Sequence, residues 1–104
     1  VIVALFEEHM VPGRRVELIL AHDRAGELLR GQRGFVSGRL LAFAGGGYLY
    51  RYEMDFSQRE DWDRFFASVA FPRLRAVIDP WLVVPFGIQI YAVRGTPIHQ
   101  AEPA

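Results

Sequence analysis

The chain contains no cysteine, no lysine and no asparagine. Without cysteine there are no disulfides, no thiolate nucleophile and no sulfur-ligated metal. Without lysine a Schiff-base mechanism is excluded, because it needs a lysine amine; all twelve basic residues are arginine. The formal net charge is zero, which argues against nucleic acid or a charged membrane surface as partner. No apolar run approaches the roughly 20 residues of a membrane-spanning helix. The opening VIVALF reads as a strand, not as the start of a secretion signal, so a cytoplasmic location is expected. His9, His22 and His99 show no metal spacing such as HExxH. No dinucleotide-binding or P-loop glycine pattern occurs, and Gly45-Gly46-Gly47 reads as a turn. An enzyme built on this chain is expected to work with side chains alone, with no cofactor and no metal.

What is present suits one small domain. At 104 residues, 51% hydrophobic, the chain can build a core, and pairing with a second copy would bury more. Residues 1–94 read as a single α+β domain and residues 95–104 as a polar tail. A buried strand is expected over residues 1–6, with Glu7, Glu8 and His9 as a solvated extension or loop. Pro12 suits the opening of a helix over residues 14–29, with Val16, Ile19 and Leu20 on its inward face. Gly26 weakens that helix. A hairpin follows, residues 35–43 and 48–56, turning on the glycines. Ser57 and Glu60 read as a helix cap. Trp62, Phe65, Phe66 and Val69 then form a buried stripe at i, i+3, i+4 and i+7. Pro72 kinks or restarts that helix and Pro80 stops it. Residues 86–93 supply the last strand. The order βαββαβ is the ferredoxin-like split motif. Helices cover one face of its sheet, and the economical cover for the other is a second copy, giving a homodimer with a barrel-like cavity.

A hairpin centred on Gly46 pairs Ala44 with Tyr48, Leu41 with Arg51, and Arg39 with Glu53. That register puts Ser37, Arg39, Arg51 and Glu53 on one face, joined by Gln89 and Tyr91 of the last strand. Tyr48, Tyr50, Tyr52, Val36, Leu40, Ile88 and Ile90 go beneath the helices. A wall of Arg, Arg, Glu, Gln and Tyr suits a polar pocket that holds ligand; the plainer alternative is that Arg39 and Glu53 are only a cross-strand ion pair. In the first helix, His22 and Asp23 are adjacent. A histidine is the usual general acid or base near neutral pH, and a carboxylate can orient it or act in its place. Neighbours on a helix point about 100° apart, so the two need not touch. A solvated surface pair is the plainer alternative here too.

The stretches AHDRAGEL, GFVSGRLLAF and FPRLRAVIDPWLVVPF resemble the small aromatic polyketide cyclases of the tetracenomycin type, over residues 1–86. The resemblance implies a dimeric α+β barrel that folds and cyclises a reactive poly-β-ketone without a cofactor, by an aldol condensation beside a polyketide synthase. It implies catalytic roles for His22, Asp23 and Arg39. Arg51 stands where the family carries a strand histidine. Ser37, Glu53, Gln89 and Tyr91 would then bind substrate. The scaffold also resembles the cofactor-free antibiotic-biosynthesis monooxygenases, which oxidise related polycyclic phenols to quinones. A third reading is a dimeric protein that binds an aromatic ligand without catalysis.

Overall fold

The computed structural model describes residues 1–95. The elements are β1 (Ile2–His9), α1 (Arg15–Arg30), β2 (Phe35–Ala42), β3 (Leu49–Phe56), α2 (Arg59–Phe66), α3 (Ala70–Ile78), a 3₁₀ turn (Asp79–Trp81) and β4 (Gly87–Ala92). The strands form one antiparallel sheet in the order β2-β3-β1-β4. This is the expected ferredoxin-like arrangement, with both segments between strand pairs packed on one face. His99 and the tail beyond residue 95 lie outside the described residues. Among those described, no helix is long and apolar enough to cross a membrane.

The β2–β3 register follows from the glycine turn. Gly46 and Gly47 take positive φ angles of 87° and 96°, which residues with a side chain adopt only at a cost. Arg39 then sits opposite Glu53 and Leu41 opposite Arg51, as expected. The ladder stops at Ala42 and Tyr50, so Ala44 and Tyr48 do not pair, and Tyr48 lies exposed outside the strand. The register shifts between Phe35 and Ser37, which leaves Val36 as the extra residue of a bulge. Val36 is therefore exposed rather than under the helices.

Alternation along the strands fills the core. Ala4 and Phe6 of β1, Tyr50, Tyr52, Met54 and Phe56 of β3, and Phe65 and Trp62 of α2 are buried together with Phe71 and Phe86. Phe6 stacks on Phe86 with centroids 4.0 Å apart, and Phe56 on Phe65 at 5.8 Å. Each such ring contributes roughly 1.5–3 kcal/mol by burial.

The inward face of α1, the cap of the next helix and the far half of its stripe are corrected. The inward face of α1 is Leu18, Ala21, His22, Ala25 and Leu29, and Val16, Ile19 and Leu20 point outward. The helix after β3 starts at Arg59 behind Gln58, with no side-chain cap from Ser57. The restart expected near Pro72 is found, and that segment is two helices. Ser68 ends the first by donating to the Phe65 carbonyl at 2.7 Å, and its oxygen accepts the Ala70 N–H at 3.2 Å. Pro72 then lies in the first turn of α3, where its missing N–H costs nothing. The break swings Phe66 and Val69 into solvent, leaving Trp62 and Phe65 as the buried pair of the stripe.

Candidate functional site

His22 lies midway along α1 and belongs to two of its faces. With Leu18, Ala21, Ala25 and Leu29 it packs on the sheet. With Ile19, Asp23, Gly26, Glu27 and Arg30 it lines a cleft of about 390 Å³. Those positions follow at i, i+3, i+4, i+7, i+8 and i+11, one continuous helical stripe. The opposite wall is the edge strand β2, through Gly38, Arg39 and Leu40, and Tyr52 of β3 closes the inner end. The cleft lies between helix and sheet within one chain, not on the open sheet face. Its volume falls in the range of small-molecule sites, about 300–1,000 Å³.

Behind His22 is a residue the sequence reading placed in solvent. Glu8 continues the inward alternation of Ala4 and Phe6 and is fully buried. Its Oε2 lies 2.9 Å from His22 Nε2, and His22 Nδ1 lies 2.8 Å from the Leu18 carbonyl. A carbonyl can only accept, so Nδ1 carries a proton and donates it. A single proton then links Nε2 and Oε2. Both ring nitrogens are engaged within the protein, so His22 is not a free base facing the cleft. A buried carboxyl group needs such a partner, since unpaired it would cost several kcal/mol. Its other oxygen, Oε1, has no partner among the described residues.

Tyr52 packs edge-on to His22, with centroids 4.6 Å apart. Burial pushes its pKa up to about 12, with further upward contributions from the charges of Glu8 and Asp23. The phenol therefore stays protonated, as a hydrogen-bond donor, through the whole physiological range. The hydroxyl reaches the edge strand because Gly38 has no side chain there: a Cβ at Gly38 would sit 3.1 Å from it.

The expected site residues divide between two sides of the sheet. His22, Asp23 and Arg39 share the cleft. Arg39 also borders a groove on the open face with Ser37, Glu53 and Asp55, and its guanidinium donates there to Glu53 at 3.4 Å. Arg51 lines a separate hollow with Leu41 and Phe43 at the hairpin. On β4 the Tyr91 hydroxyl donates to Gln89 Oε1 at 2.8 Å, both residues being exposed. The single chamber in which a helix histidine faces sheet arginines is therefore corrected: the sheet itself separates His22 from Arg51, Glu53, Ser37, Gln89 and Tyr91. Among the described residues no group of three His, Asp or Glu side chains is placed to hold a metal ion. His9 is the exposed last residue of β1, not a loop residue, and lies 3.6 Å from Glu7. Glu8 and Tyr52 are the members of the cluster that sequence reasoning did not assign. Period-two alternation from Ala4 and Phe6 was the available signal for Glu8.

The chain matches no protein-family profile and no curated protein sequence. Solved structures do resemble it over most of its length. A Bordetella bronchiseptica protein provisionally described as an antibiotic biosynthesis monooxygenase superposes with a TM-score of 0.80 at 17% identity, covering 89% of this chain and 96% of that one. SnoaB, a cofactor-independent oxygenase from Streptomyces nogalater, gives 0.75 at 18% identity over 91% and 95%. Rv0793 from Mycobacterium tuberculosis gives 0.71 at 20% identity over 97% and 98%. None of the three is described as a polyketide cyclase, so the expected resemblance to that family is narrowed to the scaffold. At these identities the likeness establishes a common fold: a ferredoxin-like α+β chain of the kind seen in antibiotic biosynthesis monooxygenases.

Proposed function

We propose that this chain is a cofactor-independent oxygenase for an enolisable or phenolic polycyclic compound, and that the cleft between α1 and β2 is its active site. One observation carries the reading: Asp23, His22 and Arg30 line one cleft between helix and edge strand, on a scaffold shared with a cofactor-independent oxygenase. Asp23 is the base. It is exposed to the cleft, whereas His22 is already committed to Glu8 and Leu18. A methylene or phenol conjugated to carbonyls is acidic enough for a carboxylate to deprotonate when the anion is held by fixed positive charge. Arg30, on the helix wall of the cleft, supplies that charge.

The conjugated anion then passes electrons to dioxygen. A ring CH2 becomes C=O by a four-electron oxidation, while O2 is reduced by four electrons to the new carbonyl oxygen and one water. The test is oxygen uptake with 1,8-dihydroxyanthrone, corrected for its spontaneous oxidation. One O2 consumed per quinone formed is expected, with loss in Asp23→Ala. No uptake above the spontaneous rate overturns the reading.

Cyclisation of a poly-β-ketone is the second reading, favoured by the placement of His22, Asp23 and Arg39 in one cleft as the sequence resemblance implies. It uses the same proton removal but no oxygen, so product formation under argon separates the two. In either case a second copy of the chain would cover the open sheet face, where Leu41 and Tyr91 are exposed beside the charged pairs. Light scattering that reports only a monomer would remove that element.

A further inference from the structure

Two features of the cleft are unexplained by folding. The first is Gly26. It sits inside α1 with ordinary helical geometry, and a Cβ built on it meets nothing within 4 Å. Alanine would fit and would favour the helix, so glycine at this position costs stability and returns none of it through packing. Gly26 does, however, lie on the cleft. The second is the Tyr52 hydroxyl. Tyr52 is only 5% exposed, yet it lines the cleft, and its hydroxyl is not among the sealed-off, unpartnered polar atoms of the described residues, so it stays open to a ligand there. Here the ring is held by His22 at 4.6 Å and by Phe6 at 6.4 Å. Gly38 leaves the hydroxyl room on the strand side.

We propose that Tyr52 is the hydrogen-bond donor that binds substrate in this cleft, and that Gly26 keeps open a slot for the edge of a flat, oxygen-bearing ring system. Gly26 lets a planar ring come close to the helix backbone, while the space over Gly38 is what seats the Tyr52 hydroxyl at the strand wall. Ile19 and Leu40 supply apolar surface. Tyr52 can give a proton-bearing hydrogen bond to a ring carbonyl or phenolate, and Asp23 can accept one from a neighbouring ring hydroxyl. That pair of demands is met by a ring with a hydroxyl beside a carbonyl, the peri-hydroxyquinone pattern. The inference rests on the oxygenase reading only in taking the cleft as the substrate site.

The experiment is a visible-absorbance titration of the purified protein with 1,8-dihydroxyanthraquinone, run beside thermal melts and the oxygen-uptake assay. Wild type is expected to bind and shift the probe's band. Tyr52→Phe should weaken the dissociation constant about tenfold, the factor that roughly 1.4 kcal/mol represents. Gly26→Ala should raise the melting temperature while weakening the probe severalfold, and Gly26→Leu should abolish binding without loss of folding. Opposed changes in stability and affinity at one residue are not expected of a merely structural glycine. Failure of wild type to bind, or wild-type affinity in Gly26→Leu, overturns the proposal. If Tyr52→Phe is poorly folded, the Gly26 variants decide alone. Unaltered oxygen uptake in Gly26→Leu would sink this inference and leave the oxygenase reading intact. Probe binding that obeys these expectations without any oxygen uptake would do the reverse.

Discussion

Glu8 with His22 and Glu53 with Arg39 are both acid–base contacts made from the same sheet, on opposite faces. Glu8 and His22 sit beneath α1 at 2.9 Å, with their side chains 0% and 5% exposed. Glu53 and Arg39 sit on the open face at 3.4 Å, with side chains 28% and 68% exposed. Distance differs little, but surroundings differ greatly. Under the helix neither partner can exchange its neighbour for water, so losing one strands the other. On the open face water stands in at once. The first contact is therefore a condition of the fold and the second is an accessory to it.

The sharpest way to break this contrast is Glu8→Ala. It leaves His22 Nε2 buried with no partner, and removing one member of a buried pair typically costs about 3–5 kcal/mol. The value here should fall at the lower end, because a single shared proton allows the pair to be neutral. Chemical denaturation measures it. The Glu8→Leu, His22→Leu double variant should recover most of the loss, since an apolar pair of similar volume avoids the desolvation cost altogether. A double variant as unstable as the single one would mean that the contact is not what fails.

Tyr52 extends the comparison to pH. Its pKa in the folded chain is about 12 against an ordinary value of 10.0. The unfolded chain therefore loses this proton first, and folded stability falls as the pH climbs from about 10 towards 12. Below pH 10 the group is neutral in both states and contributes no pH dependence. Ultraviolet titration should show a tyrosine ionising well above pH 10 that is missing from Tyr52→Phe. Tyr52→Phe should flatten the alkaline limb of the stability curve. A limb of unchanged slope in that variant would place the cause elsewhere.

The same two faces mark what could be read from sequence. The hairpin register was legible because three glycines fixed the turn, and once Arg39 met Glu53 the faces of β3 followed. Glu8 was obscured by its company: Glu7, Glu8 and His9 look like a solvated strand end, and only parity with Ala4 and Phe6 places the middle one inside. The inward face of α1 was misread for a related reason. Two of its members are alanines and one is His22, while Val16, Ile19 and Leu20, which look like a core stripe, are exposed. Hydrophobicity alone ranks valine above histidine, and the buried carboxylate that reverses the order is a tertiary partner fourteen residues away. The bulge at Val36 was likewise invisible, because an inserted residue changes register without a composition signal.

The smallest effect should come from the open face. Exposed ion pairs contribute about 0.2–1 kcal/mol, and one at this length, with a freely moving arginine, belongs near the bottom of that range. Arg39→Ala and Glu53→Ala, separately and together, should change stability by less than about 0.5 kcal/mol each, with a coupling energy near the error of the cycle. Salt should abolish what coupling there is, because nothing shields the pair from the solvent. If Arg39 nevertheless lowers oxygen uptake or substrate affinity when removed, its contribution lies in the cleft that it also borders and not in the ion pair. A coupling as large as that of Glu8 and His22 would instead mean that the open face is not open in solution, and that a second chain has made it an interior.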